Sequence, residues 1–241
     1  MMIPPLQIPK EIKNSLAVQA YRLLKADIFD LQYLPGDRFS ENEVSQRLQM
    51  SRTPIREALF RLQREGYVDV SPKNGWQVRP FDFQMFEQLY DVRIVLEMAA
   101  VEQLCGMADG PELTELAAIW LVQEENRITD VPLLSMHDEQ FHATLVKASG
   151  NAEMARIHCD ITERLRVIRR LEFTKEMRIG VTYREHAQIL RAIIERRTSQ
   201  AKELLREHIA LSKSEVKKIT IQMLYQARLH AFESKTGLMP M

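Results

Sequence analysis

Four side chains carry the most specific chemistry in the chain. Asp138 and His142 stand four residues apart and so share one face of a helix, while His186 and His208 recur further along among apolar neighbours. His142 falls with Phe141, Leu145 and Val146, His186 with Tyr183, Ile189, Leu190 and Ile193, and His208 with Ala201, Leu204, Leu205 and Leu211. Each of three helices therefore aims an imidazole inward. One inward histidine is ordinarily a hydrogen-bonded core residue, but a buried carboxylate with no partner is strongly unfavourable. A divalent cation satisfies all four groups together, and such ligands converging from different helices are a recurrent way to build a metal site. Three nitrogens and one oxygen suit zinc, nickel, manganese or iron, with zinc favoured. A six-coordinate ion would keep open positions for water or a ligand carboxylate. The competing reading of the same residues is a polar cluster without metal.

A second constellation lies near the front. Arg52 and Arg56 are one helical turn apart, beside Ser51 and Thr53 and opposite the apolar stripe Ile55, Ala58, Leu59 and Leu62. Arginine is the side chain best shaped for bidentate contact with guanine, and hydroxyls at a helix N-terminus can donate to phosphates. Lys73-Asn74-Gly75 adds a small basic hairpin tip. The alternative is that Arg52, Arg56, Arg61 and Arg64 merely solvate an amphipathic helix.

The elements that must position these groups follow from pattern and punctuation. Apolar residues from Leu16 to Ile28 recur at helical spacing, and Leu34-Pro35-Gly36-Asp37 stops that helix. Ser40-Glu41-Asn42-Glu43 has capping-box form and opens a short helix ending near Leu48. After Gln49 and Met50, Ser51-Arg52-Thr53-Pro54 offers a capping hydroxyl and an early proline, predicting a helix to about Glu65 closed by Gly66. Tyr67–Val70 and Trp76–Val78 read as two strands of a hairpin. Two short helices across a tight turn have helix-turn-helix geometry. From Asp82 onward the pattern is helical, predicting about six helices at 83–107, 111–129, 132–149, 151–173, 176–197 and 199–232. The fold expected is thus mainly α: a helix-turn-helix domain with its hairpin over 1–80, an all-helical antiparallel bundle over 81–233, and a frayed tail over 234–241.

Composition narrows the classes. The 241 residues hold 33 basic and 33 acidic side chains, with residues 1–80 at net +3 and the remainder at net −3. An apolar content of 45% supports packed cores, two cysteines build no disulfide framework, and eight glycines include no phosphate-cradling spacing. No apolar run is long enough to span a membrane, which gives the expectation of a soluble, cytoplasmic protein with no membrane partner.

The run Pro35-Gly36-Asp37-Arg38-Phe39-Ser40-Glu41, then Ser51 to Leu59 (SRTPIREAL), then Leu62-Gln63-Arg64-Glu65-Gly66, resembles the winged helix-turn-helix of the GntR family of bacterial transcription regulators. That resemblance implies Arg52 and Arg56 as base readers, Ser51 and Thr53 as phosphate contacts, and Gly75 as part of the wing. Many members with a long effector domain carry a basic residue where this chain has Asn42, so part of its operator preference departs from theirs. Asn42 can still reach a base or phosphate.

Asp138 to Leu145 (DEQFHATL), Glu185 to Ile193 (EHAQILRAI) and Glu207-His208-Ile209 are similar to the helical FCD effector domain of the FadR subfamily. The resemblance implies that Asp138, His142, His186 and His208 hold the ion and that a small carboxylate effector sits beside it. The segment from Leu89 to Glu97 resembles the opening helix of that domain. There Arg93 offers a forked guanidinium for an effector carboxylate, and its spacing fits an internal pair with Glu97 equally well. His137 is read as peripheral, His158 and His230 as surface or interface residues, and Trp76 and Trp120 as packing.

The function these readings support is a homodimeric regulator, of repressor type, that binds double-stranded operator DNA under control of a small carboxylate. The competing class is a metal-dependent hydrolase or lyase using the same Asp and His groups, although no second catalytic constellation accompanies them. A third possibility is a dimerisation module with a structural metal.

Overall fold

The computed structural model describes residues 15–71, 75–108, 112–172, 177–216 and 218–219, and the chain divides into two compact units, with the boundary in sequence between Phe81 and Asp82. Lys73, the tail at 234–241 and the last helix beyond residue 219 lie outside the described residues. Among the described residues, no helix is long and apolar enough to cross a membrane.

The first unit is built on α1 (Leu16–Phe29), which packs along α3 (Arg52–Arg64). Between them runs α2 (Glu41–Leu48), where the Ser40 hydroxyl accepts from the Glu43 amide at 3.2 Å and Glu43 accepts from the Ser40 amide at 2.6 Å. This is the reciprocal cap expected from the sequence. Gln49 leaves α2 in the left-handed region at φ 52°, so the turn to α3 is tight. Ser51 is the residue before α3, but its hydroxyl makes no capping hydrogen bond, contrary to expectation. That hydroxyl stands exposed. Ile55, Ala58, Leu59 and Leu62 are buried, which turns Arg52 and Arg56 outward.

The hairpin is β2 (Val68–Ser71) and β3 (Gly75–Val78), and a short strand β1 (Arg38–Phe39) adds to it in the order β1-β3-β2, all antiparallel. The sequence predicts no strand at β1, since two residues between a turn and a helix cap carry no alternating pattern. Phe39 pairs with Trp76 across the sheet. A Cβ on Gly75 would come within 3.0 Å of the Phe39 carbonyl oxygen, so glycine is what lets β1 approach β3 there.

The second unit is entirely helical among the described residues. It begins with α4 (Phe83–Gly106), capped by Asp82 accepting from the Met85 amide. Next come α5 (Thr114–Trp120) and a single 3₁₀ turn (Glu124–Asn126). The helix expected over 111–129 is therefore cut short. Leu121 and Val122 after Trp120 are half-buried, but Gln123 to Asn126 are exposed polar residues with nothing to bury; beyond them the Ile128 amide donates to the Tyr183 hydroxyl. Then follow α6 (Val131–Ala148), capped by Asp130, α7 (Ala152–Glu172), α8 (Met177–Ile194) and α9 (Thr198–Val216). α4 packs against α6, α7, α8 and α9, so its inner face looks into the centre of the bundle.

Candidate metal centre

Asp138 and His142 project from α6, His186 from α8 and His208 from α9, and all four are buried. One ligand atom from each lies within 4.8 Å of the other three. His142 Nε2 is 3.2 Å from His208 Nε2, which is 3.3 Å from His186 Nε2, which is in turn 3.3 Å from Asp138 Oδ1. Ligand atoms about 2.05 Å from a tetrahedral zinc stand about 3.3 Å apart, so the spacing suits a shared ion.

The protonation pattern supports the same fit. His142 Nδ1 donates to Glu97 Oε2 at 2.6 Å, and His208 Nδ1 donates to Glu185 Oε2 at 2.7 Å. With the proton on Nδ1, each Nε2 presents a lone pair to the centre. Lone pairs in van der Waals contact repel, and a cation between them removes that repulsion. Burial drives His142 down to about 3, with Glu97 only partly opposing it, and burial beside the other imidazoles holds His186 well below its ordinary range. Both are therefore neutral, the form that ligates metal. Burial alone would raise the Asp138 carboxyl, but Arg169 and the facing imidazoles hold it below its ordinary range.

The walls fix the rings. Phe141 stacks on His186 with centroids 4.0 Å apart, and Trp120 meets the same ring edge-on at 4.1 Å. Trp120 is thus a packing residue as expected, but its packing partner is a candidate ligand.

Three residues of this centre were missed by sequence reasoning. Glu97, fully buried on α4, accepts from Arg93 Nε at 2.6 Å, from His142 Nδ1 and from His158 Nε2 at 2.9 Å. Burial pushes its carboxyl up, and the groups of His142, Arg93 and His158 outweigh this and hold it well below the usual carboxylate range. His158 is a correction: read as a surface or interface residue, it is buried, because its position on α7 faces α4 and gives its ring both Glu97 and the Thr162 hydroxyl. Arg169, also on α7, donates through Nη2 to Asp138 Oδ2. Of these, Glu97 alone left a trace in the sequence, as the i+4 partner of Arg93.

Arg93 forms the internal pair with Glu97 that its spacing allowed. Its Nε is paired with Glu97, whereas its Nη2 is buried without a hydrogen-bond partner. His137 is half-buried and stands apart from the four converging groups.

In the first unit Asn42, Ser51, Arg52, Thr53 and Arg56 are exposed, and Gly75 is half-buried at the start of β3. Arg52 and Arg56 both face Glu41 of α2, which Arg56 engages with three hydrogen bonds of 2.8–3.2 Å.

Residues 16–78 match the family described as bacterial regulatory proteins, gntR family, and residues 88–211 match the FCD domain. The chain belongs to the GntR family. This GntR regulator is 30% identical to the Nta operon transcriptional regulator of Aminobacter aminovorans over 73% of its own length and 83% of that protein. It is 24% identical to the HTH-type transcriptional repressor RspR of Escherichia coli, over 83% and 89% of the two chains. A solved GntR regulator from Rhodococcus sp. RHA1 shares the fold at TM-score 0.68 and 21% identity, covering 85% of this chain and 98% of the other. The molecule is a transcriptional regulator with a DNA-binding GntR domain and an FCD effector domain, not an enzyme, and the hydrolase or lyase reading finds no support in these relatives.

Proposed function

We propose that this regulator binds double-stranded operator DNA as a homodimer and that a small carboxylate metabolite, held beside a divalent ion in the FCD domain, sets its affinity for that DNA. The observation that carries the sensing half is the convergence of three imidazole Nε2 atoms and one carboxylate oxygen in the buried centre of the bundle. Asp138, His142, His186 and His208 would hold the ion, with zinc first and nickel, manganese or iron as alternatives. When bound, the ion would supply an electrophilic centre for a ligand carboxylate.

Arg93 is assigned to the effector, since its unpaired Nη2 is a buried donor in want of an acceptor. Arg52 and Arg56 are assigned to base edges, Asn42 to a base or phosphate, Ser51 and Thr53 to phosphates, and Lys73 and Gly75 to the wing. Two-fold operators pair with two-fold proteins, which supports the dimer. Repression rather than activation is supported by the name of the Escherichia coli relative. The cytoplasm is the place such a partner implies. Control works by population shift, the effector binding better to one arrangement of the reading heads.

The test is fluorescence-anisotropy titration of a duplex selected from a randomised library by the wild-type protein, using metal-loaded and chelator-stripped samples against a panel of small organic acids. The proposal expects at least one acid to change operator affinity by about 5-fold or more, a typical allosteric coupling, in the metal-loaded sample only. An equal response in the stripped sample would overturn it.

A further inference from the structure

Both arginines assigned to base reading meet the same carboxylate. Glu41, the first residue of α2, accepts from Arg56 Nε at 3.0 and 3.2 Å and from Arg56 Nη2 at 2.8 Å, and lies 3.9 Å from Arg52 Nε. The side chain of Glu41 is only 16% exposed, whereas those of Arg52 and Arg56 are 62% and 55% exposed. A largely buried anion on α2 thus holds two otherwise mobile cations of α3.

The geometry says which part of Arg56 is left over. A guanidinium has five N–H bonds in a rigid plane. Glu41 occupies the Nε–Nη2 side, so the free edge is the Nη1–Nη2 end, which is the edge that can meet guanine O6 and N7 together. An unrestrained arginine on the same helix face would spend much of its time on phosphates, which attract it regardless of sequence. We propose that Glu41 is a positioning residue for operator recognition: it orients Arg56 for a base edge, and its negative charge keeps the reading face from binding non-cognate DNA. This rests on the assignment of Arg56 as a base reader.

The experiment uses the full chain and three duplexes. One is the duplex selected by the wild-type protein from a randomised library. The second is a set in which each G·C pair of its half-site is changed to A·T, and the third is an unrelated duplex of equal length. Affinities are measured over a salt series for the wild type, Glu41→Gln, Glu41→Asp and Arg56→Ala.

The wild type should lose about 5- to 150-fold on changing the guanine that Arg56 reads, the range of one bidentate contact. In Glu41→Gln that loss should shrink to within about 3-fold, while binding to the unrelated duplex tightens. Its salt dependence should steepen by about one unit of log–log slope as the freed arginine takes a phosphate. Glu41→Asp keeps the charge but shortens the reach, so it should retain the wild-type salt slope and still lose base discrimination.

Undiminished discrimination in both Glu41 variants overturns the proposal. So does an equal loss of specific and non-specific binding accompanied by a lowered melting temperature, which would mean a structural role only. Arg56→Ala separates this from the parent assignment. If that variant keeps full discrimination, base reading by Arg56 itself fails; if it loses discrimination while the Glu41 variants do not, only the positioning role fails.

Discussion

Replacing Glu97 by glutamine removes one negative charge from a site where Arg93 and the ring N–H groups of His142 and His158 all depend on it. Both Arg93 and Glu97 are buried, so solvent cannot take over the role of the missing charge. Breaking a buried ion pair by removing one partner costs about 3–5 kcal/mol. For a unit of this size each kcal/mol moves the melting temperature by about 2–4 °C, giving a fall of roughly 6–20 °C in the metal-free protein. The same change loosens the orientation of His142, and loss of such an outer-shell partner lowers metal affinity by about 10- to 100-fold. Scanning fluorimetry of chelator-stripped protein reads the first effect, and competition with a chromogenic chelator reads the second. An Arg93→Met, Glu97→Leu double variant removes the pair as a whole and should recover much of the stability, though not the metal affinity. A Glu97→Gln protein with wild-type melting temperature and wild-type metal affinity would refute this account of the network.

Other perturbations act on single parts. Asp138→Ala or His186→Ala should lower metal occupancy and abolish the effector response of operator binding, as measured by elemental analysis and anisotropy; full metal retention would place the ion elsewhere. Arg52→Ala or Arg56→Ala should remove operator preference and leave metal content unchanged, checked on the same preparations. Loading stripped protein with zinc at 100 times its dissociation constant should add about 2.7 kcal/mol of stability, read as a higher denaturant midpoint; no shift would argue against binding to the folded state.

Acid should destabilise the stripped protein. The His142 pKa is lowered on folding from its ordinary 6.5 to about 3, so its contribution is fully present above 6.5 and is lost as pH falls from there toward 3. The lowered carboxyl of Glu97 acts in the same direction once pH falls below its ordinary value of 4.5. Urea unfolding at pH 7.5, 5.5 and 4.5 should show falling stability, on the order of a few kcal/mol in total; a flat or rising series contradicts the burial of these groups.

Much of the site was legible because its spacing is local or its groups are chemically costly to bury. Asp138 and His142 are one turn apart on one helix, and the apolar companions of His186 and His208 told which way those rings face. The cap at Ser40 likewise depends on neighbouring residues alone, and it formed. What escaped depends on contacts between distant segments. His158 and Arg169 enter the centre because α7 lies against α4 and α6, a pairing that no periodicity in α7 reveals. Glu97 looked like half of an ordinary i,i+4 ion pair, and its second oxygen meets His142 only in the folded bundle. The strand β1 exists because Gly75 lets it approach β3, and α5 stops at Trp120 because the chain from Gln123 to Asn126 is exposed and has no buried face to continue. The charge of Glu41 was visible, but its reach across to Arg56 was not.

The central claim is that Asp138, His142, His186 and His208 together grip one divalent cation. Crystals of the protein grown with zinc, measured above and below the zinc absorption edge, test it most directly. The account predicts one anomalous peak per chain, bonded to the three Nε2 atoms and to an Asp138 oxygen. A peak elsewhere on the chain, or none among these four side chains with zinc present in excess, would contradict it.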